Sequence, residues 1–126
     1  MASSRKPKDD PMYELLQQEN IMEFNSRRAL GQECNLKGVH LRGLDLRGLD
    51  ATDLNLADAY LRGADVRGVD FRRANLEGAS LAECNISGCY FPLELAAEEI
   101  LLSVSRGTRL RYQETSLTKQ VERKRK

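Results

Sequence analysis

The stretch LRGLDLRGLD, residues 41–50, is one five-residue sequence written twice. An α-helix repeats about every 3.6 residues and a β-strand about every 2, so neither element explains a period of five. Followed outward, the period runs from Cys34 to Leu93 as twelve consecutive repeats without an insertion. We number these repeats 1 to 12 along the chain, and the positions within each repeat one to five. Such a period indicates a repeat architecture, in which each unit is buried by its neighbours.

Apolar side chains occupy two of the five positions in nearly every repeat. All twelve third positions, from Leu36 to Phe91, are apolar, and the first positions are apolar and often small. Because residues two apart in an extended chain share a face, these positions are expected to point inward together. Seven of the twelve fifth positions are glycine, which permits a bend without a side-chain clash. The pattern predicts a coil with its first and third residues inside.

The repeats ADVRG, ANLEG, CNLKG and CNISG resemble the consensus A-(D/N)-L-x-x of the pentapeptide-repeat family. The resemblance implies a β-solenoid, specifically a right-handed quadrilateral β-helix with four repeats per coil. Residues 34–93 would then form about three coils, capped by short α-helices at both ends. The chain departs from the consensus with leucine at the first position of repeats 3 to 5 and with Ala51 at a third position. We interpret these departures as local differences in packing.

Four repeats per coil would stack residues that lie twenty apart, at the spacing of neighbouring β-strands. One such column holds three asparagines, for which an amide ladder is expected: Asn35, Asn55 and Asn75. Another places the small Ala51 beneath Phe71. The cysteines all occupy first positions, so we expect them to be buried and unpaired: Cys34, Cys84 and Cys89.

The flanking segments are expected to cover the two ends of the coil. Residues 10–33 form the predicted N-terminal helical cap, as one or two short helices broken near Asn20, with these apolar residues: Met12, Leu15, Leu16, Ile21, Met22 and Phe24. Residues 94–112 form the predicted C-terminal cap, a helix ending at Gly107 and then a short extended segment. The apolar stripe of this helix is predicted from Ala96, Ile100 and Val104, with Ala97 and Leu101 beside it. Residues 1–9 are predicted to be a disordered tail and residues 113–126 a basic flexible tail.

Catalysis is not expected. His40 occupies a second position, where it would face solvent with Tyr60 above it. The chain offers no nucleophile–base pair, no phosphate-binding glycine loop and no inward pair of carboxylates. The cysteine spacing is not that of a zinc site. We therefore predict a protein that is not an enzyme and needs no cofactor or metal.

Outward-facing side chains in repeats 2, 3, 6 and 7 form the candidate interaction surface: Arg42, Arg47, Tyr60, Arg62 and Arg67. In each of these repeats, R-G-x-D places an arginine and an aspartate on either side of a turn, as in Arg42 and Asp45. We expect such pairs to form across the turn as a solvated surface network. An arginine-lined groove for anions is the alternative.

A candidate anion-binding site lies in the C-terminal tail: Lys119, Arg123, Lys124, Arg125 and Lys126. Basic tails bind phosphates without sequence preference, so nucleic acid is kept as a partner that we do not favour. Some members of the resembled family mimic duplex DNA and modulate DNA gyrase. Residues 34–93 carry eight acidic and seven basic side chains, a net charge of −1, which makes a poor mimic of DNA.

The sequence therefore predicts a non-catalytic interaction or scaffold module with an unidentified protein partner. Gyrase modulation and nucleic-acid association are the alternatives. No apolar run approaches the ~20 residues of a membrane span, so no membrane association is expected. An odd number of cysteines favours a reducing compartment, which predicts a cytoplasmic protein. We expect a monomer or a weak homodimer.

Overall fold

A computed structural model describes residues 9–113 of the chain. Two short helices, α1 (Pro11–Gln17) and α2 (Ile21–Ala29), precede the repeats, and α3 (Ala97–Arg106) follows them. Asp10 caps α1 by accepting the Met12 amide, and Asn20 caps α2 by accepting the Glu23 amide. The break predicted near Asn20 is confirmed, because this residue begins a second helix.

The repeats pair with one another at intervals of twenty residues. Parallel β-bridges join His40 to Tyr60, Asp45 to Asp65, and four further pairs with the same separation. We call a set of repeats that stack at this twenty-residue interval a column, and there are four columns. Column 1 holds repeats 1, 5 and 9, column 2 holds repeats 2, 6 and 10, column 3 holds repeats 3, 7 and 11, and column 4 holds repeats 4, 8 and 12. Within residues 9–113 the bridges are isolated, because turns leave only a short extended stretch in each repeat.

The hydrophobic core lies in the interior that the four columns surround. Ten of the twelve third positions are buried, and the two others, Ile86 and Phe91, are half-buried in the last repeats. Most first positions are buried as well, and several are alanines that lie beside larger third-position side chains. Phe71 is fully buried above Ala51 and stacks on Phe91 with ring centroids 5.8 Å apart. The predicted inward positions are confirmed over most of the repeat region.

Every turn between neighbouring repeats is closed by the same backbone hydrogen bond. The amide of the next first position donates to the carbonyl of the third position, as Ala64 does to Leu61 at 2.9 Å. Ten of the twelve fifth positions have positive φ, and three of these are acidic residues: Asp53, Asp58 and Glu83. Glycine is favoured at this position because the left-handed region is costly for residues that carry a Cβ.

The N-terminal helices bind the exposed edge of the first repeats through side chains. Asp10 Oδ2 accepts the amide of Asn35, and Asn25 Oδ1 accepts the amide of Asp50, both at 2.9 Å. Glu19 accepts the amide of Asp45 in the same way. In later repeats the equivalent amide donates to the carbonyl of the residue twenty-one positions earlier, as the Asp65 amide does to Leu44 O. Side-chain oxygens of α1, α2 and their flanks therefore replace the carbonyls of a preceding coil.

The apolar faces of the helices differ in part from the predicted ones. Met12, Leu16 and Phe24 are fully buried, but Met22 is 85% exposed because α2 turns it away from the repeats. In α3, Ile100 is buried as predicted, whereas Leu101 is exposed. Ser103 is the second buried residue of α3, because its hydroxyl accepts the amide of Leu81 in repeat 10.

The chain after α3 lies along the last repeats. Gly107 has φ of +74° and ends the helix, as predicted. Arg109 then forms an antiparallel bridge with Ser80, and the Leu110 carbonyl accepts the amide of Gly78. The last described amide, that of Gln113, donates to Glu94 O at 2.9 Å.

Candidate interaction surface

Column 2 presents aromatic residues at its second positions. The rings of His40 and Tyr60 stack with centroids 4.9 Å apart and planes 10° from parallel. The parallel bridge between the two residues sets this spacing. Ser80 continues the column and donates its hydroxyl to Gly107 O. The predicted placement of Tyr60 above the outward-facing His40 is confirmed.

Arg109 completes this column from outside the repeats. Its guanidinium carbon lies 5.3 Å from the centroid of the Tyr60 ring, and its Nη2 donates to Tyr60 Oη. Its Nη1 approaches Asp58 Oδ1 at 3.5 Å. The stacked side chains of column 2 are therefore two rings and a guanidinium, with the Tyr60 ring between His40 and Arg109. Sequence reasoning missed Arg109, because no five-residue pattern includes it and only the path of the chain after Gly107 brings it here.

Two arginines of column 2 occupy fourth positions beside these rings. Arg62 lies 3.4 Å from Glu83 at a corner, and both side chains are more than half exposed. Arg42 is exposed and forms no ion pair within residues 9–113. Neither repeat has an acidic residue at its second position, where His40 and Tyr60 stand. Of the three guanidinium groups at this column, Arg62 and Arg109 each have an acidic partner, and Arg42 has none within residues 9–113.

Arginines of column 3 are paired, but not across the turn as predicted. Arg47 Nη2 lies 2.7 Å from Asp45 Oδ2, and Arg67 Nη2 lies 2.7 Å from Asp65 Oδ2. Arg47 also approaches Asp65 at 3.5 Å, which links the two pairs along the column. Second and fourth positions point outward from the same extended side, whereas the turn carries the next aspartate to another side. The expectation of pairing across the turn was therefore wrong.

Column 4 repeats this arrangement in repeat 8. Arg72 Nη2 lies 2.8 Å from Asp70 Oδ2, and the Arg72 guanidinium carbon lies 4.5 Å from the centroid of the Tyr90 ring. A D-x-R sequence within one repeat thus forms a two-point ion pair in all three places where it occurs in the repeat region.

Carboxylates in these pairs titrate below their usual range. Hydrogen bonds from the Arg47 side chain and backbone lower the pKa of Asp45 to about 2. The Arg72 side chain and backbone do the same for Asp70, whose pKa is also about 2. The pKa of Asp65 is lowered, chiefly by the Arg67 side chain. The arginines of columns 3 and 4 are therefore neutralised locally across the ordinary pH range, unlike Arg42.

Asparagine side chains in column 1 do not form the predicted amide ladder within the described part of the chain. Asn55 Oδ1 accepts the amide of Ala57 at 3.0 Å, and Asn75 Oδ1 accepts that of Glu77 at the same distance. Asn35 bonds to the Lys37 amide likewise. A bond to the chain two residues on is the Asx-turn geometry that asparagine favours.

The three cysteines are free, but only one of them is buried. Cys84 is buried, whereas Cys34 and Cys89 are half-buried. Burial raises the pKa of Cys34 and of Cys84 to about 11. Burial also raises the pKa of Cys89, whose thiol donates to Val66 O. The expectation that all three are buried was wrong for two of them, because each lies at an end of the repeat stack.

The clefts beside the N-terminal helices are open to solvent. An open cleft of about 520 Å³ between α2 and repeat 3 is lined in part by Glu19, Asp45 and Arg47. Glu19, in the segment between α1 and α2, already accepts the Asp45 amide there, and Arg47 is paired with the Asp45 carboxylate. These groups therefore hold that segment against the repeats. Within residues 9–113, no group of three or more His, Cys, Asp and Glu side chains is arranged to hold a metal ion.

Two further expectations concern the ends of the chain and the membrane. The candidate anion-binding residues Lys119, Arg123, Lys124, Arg125 and Lys126 lie outside the described residues, as do most residues of both predicted tails. Among residues 9–113, none of the helices has the length and apolar character needed to cross a bilayer.

Comparison with known families agrees with the twenty-residue pairing and the buried first and third positions. The model for pentapeptide repeats matches residues 32–68 and 55–91, and finds eight copies. The chain belongs to the pentapeptide-repeat family. These repeats generally form a β-solenoid and are generally non-catalytic. Neither the curated proteins nor the solved structures contain a significant match to this pentapeptide-repeat chain.

Proposed function

We propose that this pentapeptide-repeat protein is a non-catalytic scaffold that binds a protein partner through column 2. The proposal is supported by one group of neighbouring side chains. The rings of His40 and Tyr60 stack on each other and on Arg109, and Arg42 and Arg62 belong to the same group. Arginine and tyrosine, together with tryptophan, are enriched at the energetic centres of interfaces. The rings stack on each other and on Arg109, which holds the surface in one conformation and lowers the entropic cost of binding.

In this proposal, residues 34–93 form a right-handed, four-sided β-helix of about three coils. Bridges between residues twenty apart in four columns support it. Residues 10–33 and 94–112 are the proposed caps, which is supported by the hydrogen bonds of Asp10 and Ser103 to the first and last repeats. The free cysteines favour a reducing compartment, so we place the protein in the cytoplasm.

The partner is expected to present acidic side chains. Arg42 forms no ion pair within the described residues, and the Arg62–Glu83 contact is long and exposed, so both guanidinium groups remain open to a carboxylate. Arginine binds carboxylates through two parallel hydrogen bonds, which gives geometric specificity. The arginines of columns 3 and 4 are already held in this way by Asp45, Asp65 and Asp70.

Affinity purification from the native cell, followed by mass spectrometry, tests the proposal with matched variants. The double substitution Arg42→Ala and Arg62→Ala is expected to remove a specific partner without changing the unfolding midpoint. The control Arg72→Ala removes an arginine of column 4 and is expected to retain that partner. A partner that is kept by the column 2 double variant, or lost equally with the control, would refute column 2 as the binding surface.

Gyrase modulation is the alternative within this family. Ion pairing of acidic side chains with arginines in columns 3 and 4 argues against a continuous anionic surface. Purified protein in micromolar excess is therefore expected to leave gyrase supercoiling unchanged, with or without a quinolone. Inhibition or protection of the enzyme in that assay would favour the alternative. The tail residues 119–126 are tested separately, by nucleic-acid binding at low and high salt.

A further inference from the structure

Residues 107–113 already pair with part of the last coil. Arg109 forms an antiparallel bridge with Ser80 of repeat 10, and Leu110 O accepts the amide of Gly78 at the end of repeat 9. The segment therefore runs from column 2 towards column 1, opposite to the direction in which the repeats wind. Together with α3, it takes the place of a following coil in these two columns.

The last described residue lies beside the end of repeat 12. The amide of Gln113 donates to Glu94 O at 2.9 Å, and Glu94 directly follows the last residue of that repeat. In the direction that residues 107–113 already follow, column 4 comes next and column 3 after it. The next eight residues, 114–121, equal in number residues 86–93 of these two columns. Continued antiparallel pairing would therefore bring residues 114–121 alongside residues 86–93.

Residues 86–93, here called the terminal edge, have backbone groups without partners. The amides of Ile86, Gly88 and Phe91 have no acceptor within residues 9–113, and the Cys89 carbonyl has no donor there. Equivalent groups in columns 1 and 2 are bound by α3 and by the segment that follows it. An unpaired row of amides and carbonyls is a template for one more strand.

Apolar side chains of the terminal edge are also incompletely enclosed. Ile86 and Phe91 are half-buried, and Leu93 is 68% exposed. In the segment after α3, Tyr112 packs against the hydrophobic core. Leu117 follows Tyr112 by five residues, which is the interval between inward positions of neighbouring repeats. The period that places Tyr112 over column 1 therefore selects Leu117 for column 4.

The sequence after Gln113 has the composition of a strand. Residues 115–121 read TSLTKQV, without proline or glycine and with Lys119 as the single charged residue. Threonine and valine are enriched in β-strands. The terminal edge carries no charged side chain, so it does not repel Lys119. The other charges of this part of the chain come after Val121 and would lie past Ile86.

We propose that residues 114–121 bind the terminal edge of the same chain, as an antiparallel strand that continues the pairing of residues 107–113. Leu117 then packs over Phe91, five residues on from Tyr112. One strand encloses the core less than a complete coil does, so Phe91 remains partly exposed. The proposal gives an ordered place to residues that the sequence predicts to form a flexible tail, and it does not rest on the function proposed for column 2.

Amide hydrogen exchange of the full chain, followed by NMR over a range of protein concentrations, tests whether the terminal edge is covered. The amides of Ile86, Gly88 and Phe91 are expected to be protected to the same degree at every concentration, because the strand belongs to the same chain. Fast exchange of these amides overturns the proposal. Protection that rises with protein concentration also overturns it, since a second copy would then cover the edge.

Two neighbouring substitutions in the full chain identify residues 114–121 as the strand. Leu117→Asp is expected to speed exchange of the Phe91 amide at least tenfold, while the Gly78 amide stays protected because Leu110 O binds it. Thr118→Asp is the matched control, since the next residue of an extended strand points to the opposite face. Unchanged exchange in Leu117→Asp, or an equal effect of both variants, contradicts the proposal.

A nuclear Overhauser contact supplies the direct evidence of position. A cross-peak between a Leu117 methyl group and the Phe91 ring is expected in wild type. If the terminal edge is protected and this contact is missing, another part of the chain covers the edge and the proposed strand is wrong.

Discussion

Arg47 holds Asp45 in a two-point ion pair within one repeat, with Nη2 2.7 Å from Oδ2 and Nε 2.9 Å from Oδ1. The two residues are two positions apart in an extended stretch, so their side chains leave the same side of the coil. The same relation joins Arg67 to Asp65. An arginine at a fourth position is therefore neutralised when an aspartate stands at the second position, and Arg42 lacks that aspartate.

The pairing within a repeat predicts which arginine controls the titration of Asp45. Arg47→Gln is expected to raise the pKa of Asp45 from about 2 towards its ordinary 3.8, because the charged donor is lost. Arg42→Gln serves as the matched control and should leave that pKa low. Carboxyl titration followed by NMR measures both. If Arg42→Gln raised the pKa of Asp45 instead, the result would support an ion pair between Arg42 and Asp45 across the turn.

The pH dependence of stability follows in sign from the same pair. The pKa of Asp45 is lowered in the folded protein, so the pair stabilises the fold above the unfolded pKa near 3.8. This contribution is lost as the pH falls through about 2. The stabilities of wild type and Arg47→Gln, measured by urea unfolding, are expected to converge across this acid window. A difference that stays constant with pH would assign the effect of Arg47 to packing.

Backbone strain at the fifth position predicts a stabilising substitution. Glu83 has φ of +58°, where a residue with a Cβ costs ~1–2 kcal/mol. Glu83→Gly should therefore raise the free energy of unfolding by up to about 1 kcal/mol, after the greater freedom of glycine in the unfolded chain is deducted. Gly43→Ala, at φ of +69° with open space around its Cβ, should lower it by about 1 kcal/mol. Urea unfolding measures both, and opposite signs are required.

Burial along column 4 predicts a graded loss of stability. Phe71 is fully buried and Phe91 is half-buried in the last repeat. Phe71→Ala is expected to cost about 3–5 kcal/mol, and Phe91→Ala clearly less, because the cavity it leaves is already open to solvent. Ala51→Phe should cost about 1–3 kcal/mol by overpacking beneath Phe71. Equal losses at Phe71 and Phe91 would mean that the last coil is covered in solution.

Thiol labelling followed by mass spectrometry is expected to rank the cysteines. Cys84 is buried with its pKa raised to about 11, so its labelling should be slowest. Cys34 is half-buried with its pKa also raised to about 11, which predicts an intermediate rate. Cys89, half-buried in the last repeat, should react first. Denatured protein provides the common reference rate. Fast labelling of Cys84 in the native protein would contradict the register of repeat 11.

The period of five was sufficient to predict where most side chains lie. Leu41, Leu61 and Leu81 occupy third positions and are buried, as the alternation within an extended stretch requires. The break at Asn20 and the end of α3 at Gly107 were also readable, because caps act within a few residues of sequence. Leu101 was misjudged, because only the contact of Ser103 with Leu81 sets the rotation of α3.

The sequence by itself determined the repeat register, the inward positions and the short helices, because burial and capping act over one to five neighbouring residues. Tertiary structure decided the remaining contacts, because those contacts join residues that lie far apart in the chain. Only the folded path brings Arg109 onto Tyr60 and Asp10 to the amide of Asn35. The same holds for the Ile86 amide, which has no acceptor within residues 9–113 because of where the chain turns after repeat 12.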